Sequence, residues 1–204
     1  MYTIRHSIDP ADLELGRIDL APWGGEYRPE AMYKIGYSDR GLQVYLRCYE
    51  VDPVADVLER NGNVCRDSCM EFFFSPSADL SNGYFNFELN ANPTLLLHYG
   101  LTARVGRCCV EWPIEDFDIT VTKKFDDFGR RYWQLSFTAP WAMMAKYIPG
   151  FEPLKSGDII RANLYKCGST RQTSHYLTAF PFDTEKVPRP DFHVPDQFGQ
   201  MILG

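Results

Sequence analysis

Glu71 and Glu88 are the residues whose type and placement come nearest to a catalytic pair. Both fall in short runs that read as neighbouring strands, Cys69 to Ser75 and Phe85 to Asn90, so their carboxyls can approach one another. A glycosidase uses two carboxyls, one as acid and one as base or nucleophile, held at a fixed separation across a cleft. Nothing in the spacing of these two glutamates fixes that separation. The structural alternative is that each bonds turn backbone or an arginine, with Arg66 and Glu71 as a buried ion pair. His6, His98, His175 and His193 are scattered, with no spacing that puts two on one face. The chain lacks G-x-S-x-G, H-E-x-x-H, Walker A and G-x-G-x-x-G motifs. Catalysis is therefore not expected, and the reading is of a binding domain.

Six cysteines raise the question of a metal: Cys48, Cys65, Cys69, Cys108, Cys109 and Cys167. Zinc sites usually announce themselves as two ligand pairs at suitable spacing. Here Cys65 and Cys69 form one C-x3-C, and Cys108 and Cys109 are adjacent, with no second matching pair after either. Reduced, buried thiols are the expectation.

The elements that must position these groups are strands. Leu42, Val44, Leu46 and Cys48 alternate with polar residues, as do Phe85, Phe87 and Leu89, and Trp133, Leu135 and Phe137. A period of two marks strands with one buried and one wetter face. Further strands are predicted over Ala31 to Ser38, Thr94 to Tyr99, Ile119 to Phe125 and Ile159 to Lys166. Ser38 to Gly41 and Asp126 to Gly129 read as tight hairpin turns. Helical pattern is confined to Pro140 to Tyr147 and, as a short turn, Val54 to Arg60. Strands do not alternate with long helices, which disfavours a parallel α/β sheet. The prediction is an all-β, antiparallel two-sheet β-sandwich with one or two short helices, as one domain over residues 1–204. The stretch Thr178 to Gln197, rich in Pro and Asp, is long for a loop and is expected to be functional.

Composition narrows the partner. Net charge is −6 and no basic run exists, which argues against nucleic acid. No apolar stretch is long enough to cross a bilayer as a helix. The N-terminal residues lack a signal-peptide apolar region, so a cytoplasmic location is expected for the chain as written, or secretion if a leader was removed. Aromatic content is high, at 15%, which suits strands and also sugar- or peptide-binding surfaces.

Four segments in order carry a family resemblance: RCYEVDPVAD (47–56), RDSCMEFFFSP (66–76) with YFNFELNANP (84–93), YWQLSFTAPWAMM (132–144) leading to GDIIRANLYKCG (157–168), and RPDFHVPDQFG (189–199) before Met201-Ile202-Leu203. From about Tyr33 to the C-terminus the chain resembles the family 9 carbohydrate-binding modules. The resemblance implies an antiparallel sandwich related to the DOMON fold, sugar binding without hydrolysis, no required cofactor, and optional structural calcium at the loop holding Asp52 and Asp56. It also places Cys65 and Phe192 where two tryptophans clamp a sugar ring in characterised members. Trp112 and Tyr165 are the substitute stacking candidates. Arg66, Glu71, Glu88, Asn90, Lys166, Arg189 and His193 are the polar candidates, and Phe192 is expected at a rim. Two rival readings follow. One is a haem or redox module, for which Met70 and His98 are the only candidate ligands. The other is an interaction domain that kept the sandwich and lost the sugar; a flat or filled surface at Phe192 would favour it.

Overall fold

The computed structural model describes residues 1–104, 106–169 and 173–204. In chain order the strands are β1 (Tyr2–His6), β2 (Gly16–Arg17), β3 (Ala31–Ser38), β4 (Gly41–Cys48), β5 (Cys69–Ser75), β6 (Tyr84–Asn90), β7 (Leu95–Gly100), β8 (Cys108–Cys109), β9 (Thr120–Phe125), β10 (Arg131–Pro140), β11 (Ile159–Gly168), β12 (His175–Thr178) and β13 (Gly199–Leu203). One α-helix, α1 (Trp141–Tyr147), follows β10 directly. The predicted hairpins are present. Ser38 faces Gly41 across the β3–β4 turn, and a Cβ on Gly41 would fall 2.2 Å from the Ala139 carbonyl oxygen. In the β9–β10 turn the Asp126 carboxylate accepts from the Phe128 and Arg130 amides, and Gly129 takes φ +74°.

The sheet runs β8-β7-β6-β5-β11-β13-β1-β3-β4-β10-β9, with β12 beside β11 and β2 beside β3. The fold is all-β, as predicted, but the sheet is mixed rather than purely antiparallel. β1 lies parallel to β13 through Tyr2–Ile4 and parallel to β3 through Arg5–His6. Parallel neighbours need a long connection, and the chain between β1 and β13 supplies one. The path curls so that its two arms face each other: Phe87 of β6 stacks on Phe137 of β10, with centroids 4.9 Å apart. The core between them is what the period of two selects, with Leu42, Val44 and Leu46 of β4 meeting Phe72, Phe74 and Phe85.

Two local expectations fail for identifiable reasons. Val54 to Arg60 is not helical. The Val54 amide bonds the Ser68 hydroxyl at 2.9 Å and the Val57 amide bonds the Asp67 carboxylate at 2.9 Å, so side chains hold the backbone in an irregular course. A single 3-10 turn forms instead at Val64–Arg66. The wetter faces of β5 and β6 are also buried along their full lengths. A second apolar cluster covers them, built from Val64, Cys69, Phe73, Tyr84, Tyr165, Phe192 and Phe198. Phe192 comes from the long Pro- and Asp-rich segment, which wraps over this outer face, and Phe198 from the residue just after it. No helix among the described residues is long and apolar enough to cross a membrane.

Candidate functional site

The outer face of β5, β6 and β7 is not wholly filled. A cleft of about 300 Å³ opens there, with Glu71 and Glu88 toward its floor and Phe192, His193, Asp191, Arg104, Arg107, His98 and Tyr176 among its walls. Glu71 and Glu88 stand directly opposite each other in the β5–β6 register, and they are only 1% and 4% exposed. Burial raises both carboxyls because their charged forms lose water. Glu88 rises to about 7, against the opposing pull of the Asn86 amide, Arg107 and Arg104. Glu71 is held well above the carboxylate range by burial first, then by Cys167 and Glu88.

His193 is pushed down to about 3 by burial, Arg107 and Arg104, so its imidazole is neutral near pH 7. The Arg107 guanidinium, which can only donate, lies 2.8 Å from Nδ1. The same guanidinium lies 3.2 Å from Nε2, which is 3.8 Å from Glu88 Oε1, so the unprotonated ring nitrogen has a donor within reach. The wall residues brace one another. Arg104 grips Asp191 with two bonds, at 3.2 and 2.9 Å, and Asp191 in turn accepts from the His193 amide. Several buried polar atoms here have no partner among the described residues: Arg107 Nε, His98 Nδ1 and Asn86 Oδ1, the last on the residue paired with His98 across β6–β7. Buried polar atoms are normally paired, so such a group beside a cleft points to a polar ligand.

The sequence candidates divide sharply. Cys65, Glu71, Glu88, Phe192 and His193 come together at the cleft. Arg66 is exposed while Glu71 is buried, so the two do not form a buried ion pair. Arg189 is exposed, next to the wall residue Pro190. Asn90 is spent on structure: its amide nitrogen donates to the Val57 carbonyl and the Asp67 carboxylate, and its oxygen accepts from the Asn92 and Thr94 amides. Lys166 projects to the other face of β11, where it meets Glu50 at 3.3 Å and His175 at 2.8 Å. Trp112 lies elsewhere, at a wider hollow of about 500 Å³ shared with Trp141 and Arg40.

Phe192 is 8% exposed rather than at a rim. Its ring stacks on Tyr165 at 3.9 Å and 9°, and Tyr165 is fully buried. The expected sugar clamp is thus occupied internally on one side, while the cleft beside it stays concave. The haem candidates do not converge, since Met70 belongs to the main core and His98 to the outer cleft. At the Asp52–Asp56 loop both carboxylates are exposed, and Asp52 shares its hollow with Lys123, Lys124 and Arg131. Calcium takes six to eight oxygens, and two carboxylates with three cations around one of them do not fit it.

Sequence reasoning missed Arg104, Arg107, Asp191 and Trp23. Trp23 stands over a second, open groove with Pro22, Ser174 and Pro188, and its ring lies 5.8 Å from that of Phe192. Tyr176 and Pro190 line both the groove and the cleft, so the two are contiguous. A lone Trp in a Pro- and Gly-rich stretch was the available signal.

A family model described as carbohydrate-binding family 9 matches residues 3–203. The chain belongs to carbohydrate-binding family 9. That span reaches the N-terminal strand β1, beyond the Tyr33 boundary of the motif resemblance. A Bacteroides uniformis protein described as a putative carbohydrate-binding protein shares 23% identity and superimposes with a TM-score of 0.80, covering 100% of this chain and 99% of that one. Two structures of a family 9 module from Caldicellulosiruptor kristjanssonii, solved with cellotriose and with glucose, superimpose at 0.63 and 0.60. They are 13% and 12% identical, and cover 99% of this chain with 92% and 94% of theirs. At these identities the likeness concerns the family 9 fold. No curated protein matches the chain.

Proposed function

We propose that the outer-face cleft binds the end of a carbohydrate chain without cleaving it, and that the chain continues over the Trp23 groove. The reading treats residues 1–204 as one β-sandwich domain whose mixed strand β1 joins the two sheets. The observation that carries it is the set of buried polar atoms lacking a partner among the described residues, around two glutamates, in a cleft walled by Phe192 and Tyr176. Sugar hydroxyls are donors and acceptors at once, and they suit a site offering carboxyl, imidazole and guanidinium partners. Ring faces are served by Tyr176 and Trp23, because Phe192 is already stacked on Tyr165. Family membership and the sugars held by the two Caldicellulosiruptor modules support the same reading.

Hydrolysis is disfavoured by geometry. Glu71 and Glu88 are side by side on one floor, not across a cleft, so neither can reach the far face of a sugar held by the other. Titration calorimetry against glucose, cellotriose and a panel of neutral and acidic oligosaccharides tests the proposal. Binding of at least one ligand is expected, lost on Glu71→Gln and weakened at least tenfold in Arg107→Ala, with no reducing ends released. Absence of binding across the panel, or turnover of a bound oligosaccharide, would refute it.

A further inference from the structure

Beneath the cleft floor lies a second chemical group. Cys69 and Cys167 are direct partners across the β5–β11 pairing, and Glu71 sits two residues along β5 on the same face. Their Sγ, Sγ and carboxylate oxygen atoms all lie within 4.8 Å of one another, and Cys167 Sγ is 3.1 Å from Glu71 Oε1. Among the described residues, this is the only convergent trio of His, Cys, Asp or Glu. Neither thiol has a strong competing partner: Cys69 Sγ reaches the Met70 carbonyl at 3.9 Å and Cys167 Sγ the Cys65 carbonyl at 3.8 Å.

We propose that Cys69, Cys167 and Glu71 form a site for a thiophilic divalent cation such as zinc, with its open coordination position facing the cleft. Zinc lies about 2.3 Å from thiolate sulfur and about 2.0–2.2 Å from carboxylate oxygen, so tetrahedral ligands sit roughly 3.6–3.8 Å apart. The trio's ligand atoms, all within 4.8 Å of one another, need close by no more than about 1 Å to reach that spacing. All three side chains are almost wholly buried, yet Glu71 and Cys167 line the cleft, which gives the ion an entry path and leaves room for a fourth ligand. Loading displaces the thiol protons, and that of Glu71, to solvent, so affinity rises with pH. Soft thiolates favour zinc over calcium or magnesium. The two cysteines are 98 residues apart in sequence, which is why no motif announces the pair.

The test uses the full chain carrying C108S and C109S, which removes the exposed thiols, under a reductant that does not chelate. Cobalt titration should give a thiolate-to-metal charge-transfer band and tetrahedral visible bands, with one ion per chain. X-ray absorption of the zinc-loaded protein should show two sulfur scatterers with oxygen or nitrogen completing the shell. Adding C167S should abolish the charge-transfer band or halve its intensity, and E71Q should keep the band while weakening affinity at least tenfold. A shell of oxygen and nitrogen alone, or no charge-transfer band in folded protein, would overturn the proposal. Because absorption is read on the protein with its trio intact, a folding failure of C167S does not rescue the idea. Carbohydrate binding is measured separately and can fail or succeed without it.

Discussion

The two faces of β5 show how one strand serves two ends. Met70, Phe72 and Phe74 point into the main core, where Met70 pairs across strands with the buried Lys166 and the other two meet apolar rings. Cys69, Glu71 and Phe73 point outward, beneath a loop-built lid that carries Phe192 and His193. Both faces are buried, so burial alone does not separate fold from function. What separates them is polar satisfaction. The inner face buries Lys166 as well, but Glu50 and His175 meet it there, whereas the outer face keeps carboxyls, thiols and an imidazole beside polar atoms that lack a partner among the described residues, at the cost of desolvating them. A protein retains such groups where a ligand can complete their bonding.

Truncation on each face gives the largest expected contrast. Phe87→Ala removes a ring stacked on Phe137 in the inner core and should destabilise by about 3–5 kcal/mol, because the two sheet arms leave a cavity that cannot collapse. Phe192→Ala should cost roughly 2 kcal/mol, since its lid can relax and water can enter from the cleft. Denaturant unfolding of both variants measures the difference. Equal losses would make the outer face merely an extension of the core.

Titration next separates two outer-face groups whose shifts have opposite signs. In the unfolded chain Glu88 titrates near 4.5, and in the folded chain at about 7. Between those values the folded state holds the extra proton, so this group's contribution to stability falls as pH rises. His193 runs the other way. Its folded value of about 3 lies below the ordinary 6.5, so stability rises with pH between them. Glu88→Gln deletes the first effect, eases the upward push of Glu88 on Glu71, and leaves that of His193 in place. The stability of the variant relative to wild type should therefore climb by about 3 kcal/mol from pH 4.5 to pH 8. A flat difference would mean that Glu88 ionises in the cleft at little cost.

How far all this was readable in the sequence follows from range. β3 and β5 were legible to the residue, because a strand-forming run of seven or eight positions is a local signal. β1 was not, because its five residues include polar Arg5 and His6, and one of its two partners, β13, lies at the far end of the chain. The cleft was half legible. The segment around Phe192 stood out by composition, and Glu71 and Glu88 by their strands. Arg104 and Arg107 belong to no periodic run, and the meeting of Cys69 with Cys167 exists only through the β5–β11 register. Phe192 shows the limit most plainly: its sequence surroundings are polar, and its burial comes from Tyr165 and Trp23, remote in sequence.

The smallest effect is expected at the loop farthest in character from the cleft. A cation bound only by the folded chain at a hundred times its dissociation constant adds about 2.7 kcal/mol, which moves a melting temperature by several degrees. Asp52 is 91% exposed, 3.8 Å from the Arg131 guanidinium, in a hollow it shares with two lysines. Positive neighbours repel a calcium ion, and water competes fully for an exposed carboxylate. Millimolar calcium, or its removal by a calcium-selective chelator, should therefore shift the melting temperature by less than about one degree. A rise of several degrees, abolished by Asp52→Asn, would show that the loop gathers further oxygen ligands when the ion arrives. The outer cleft would then have to share its role as the chain's ligand-completed region with this loop.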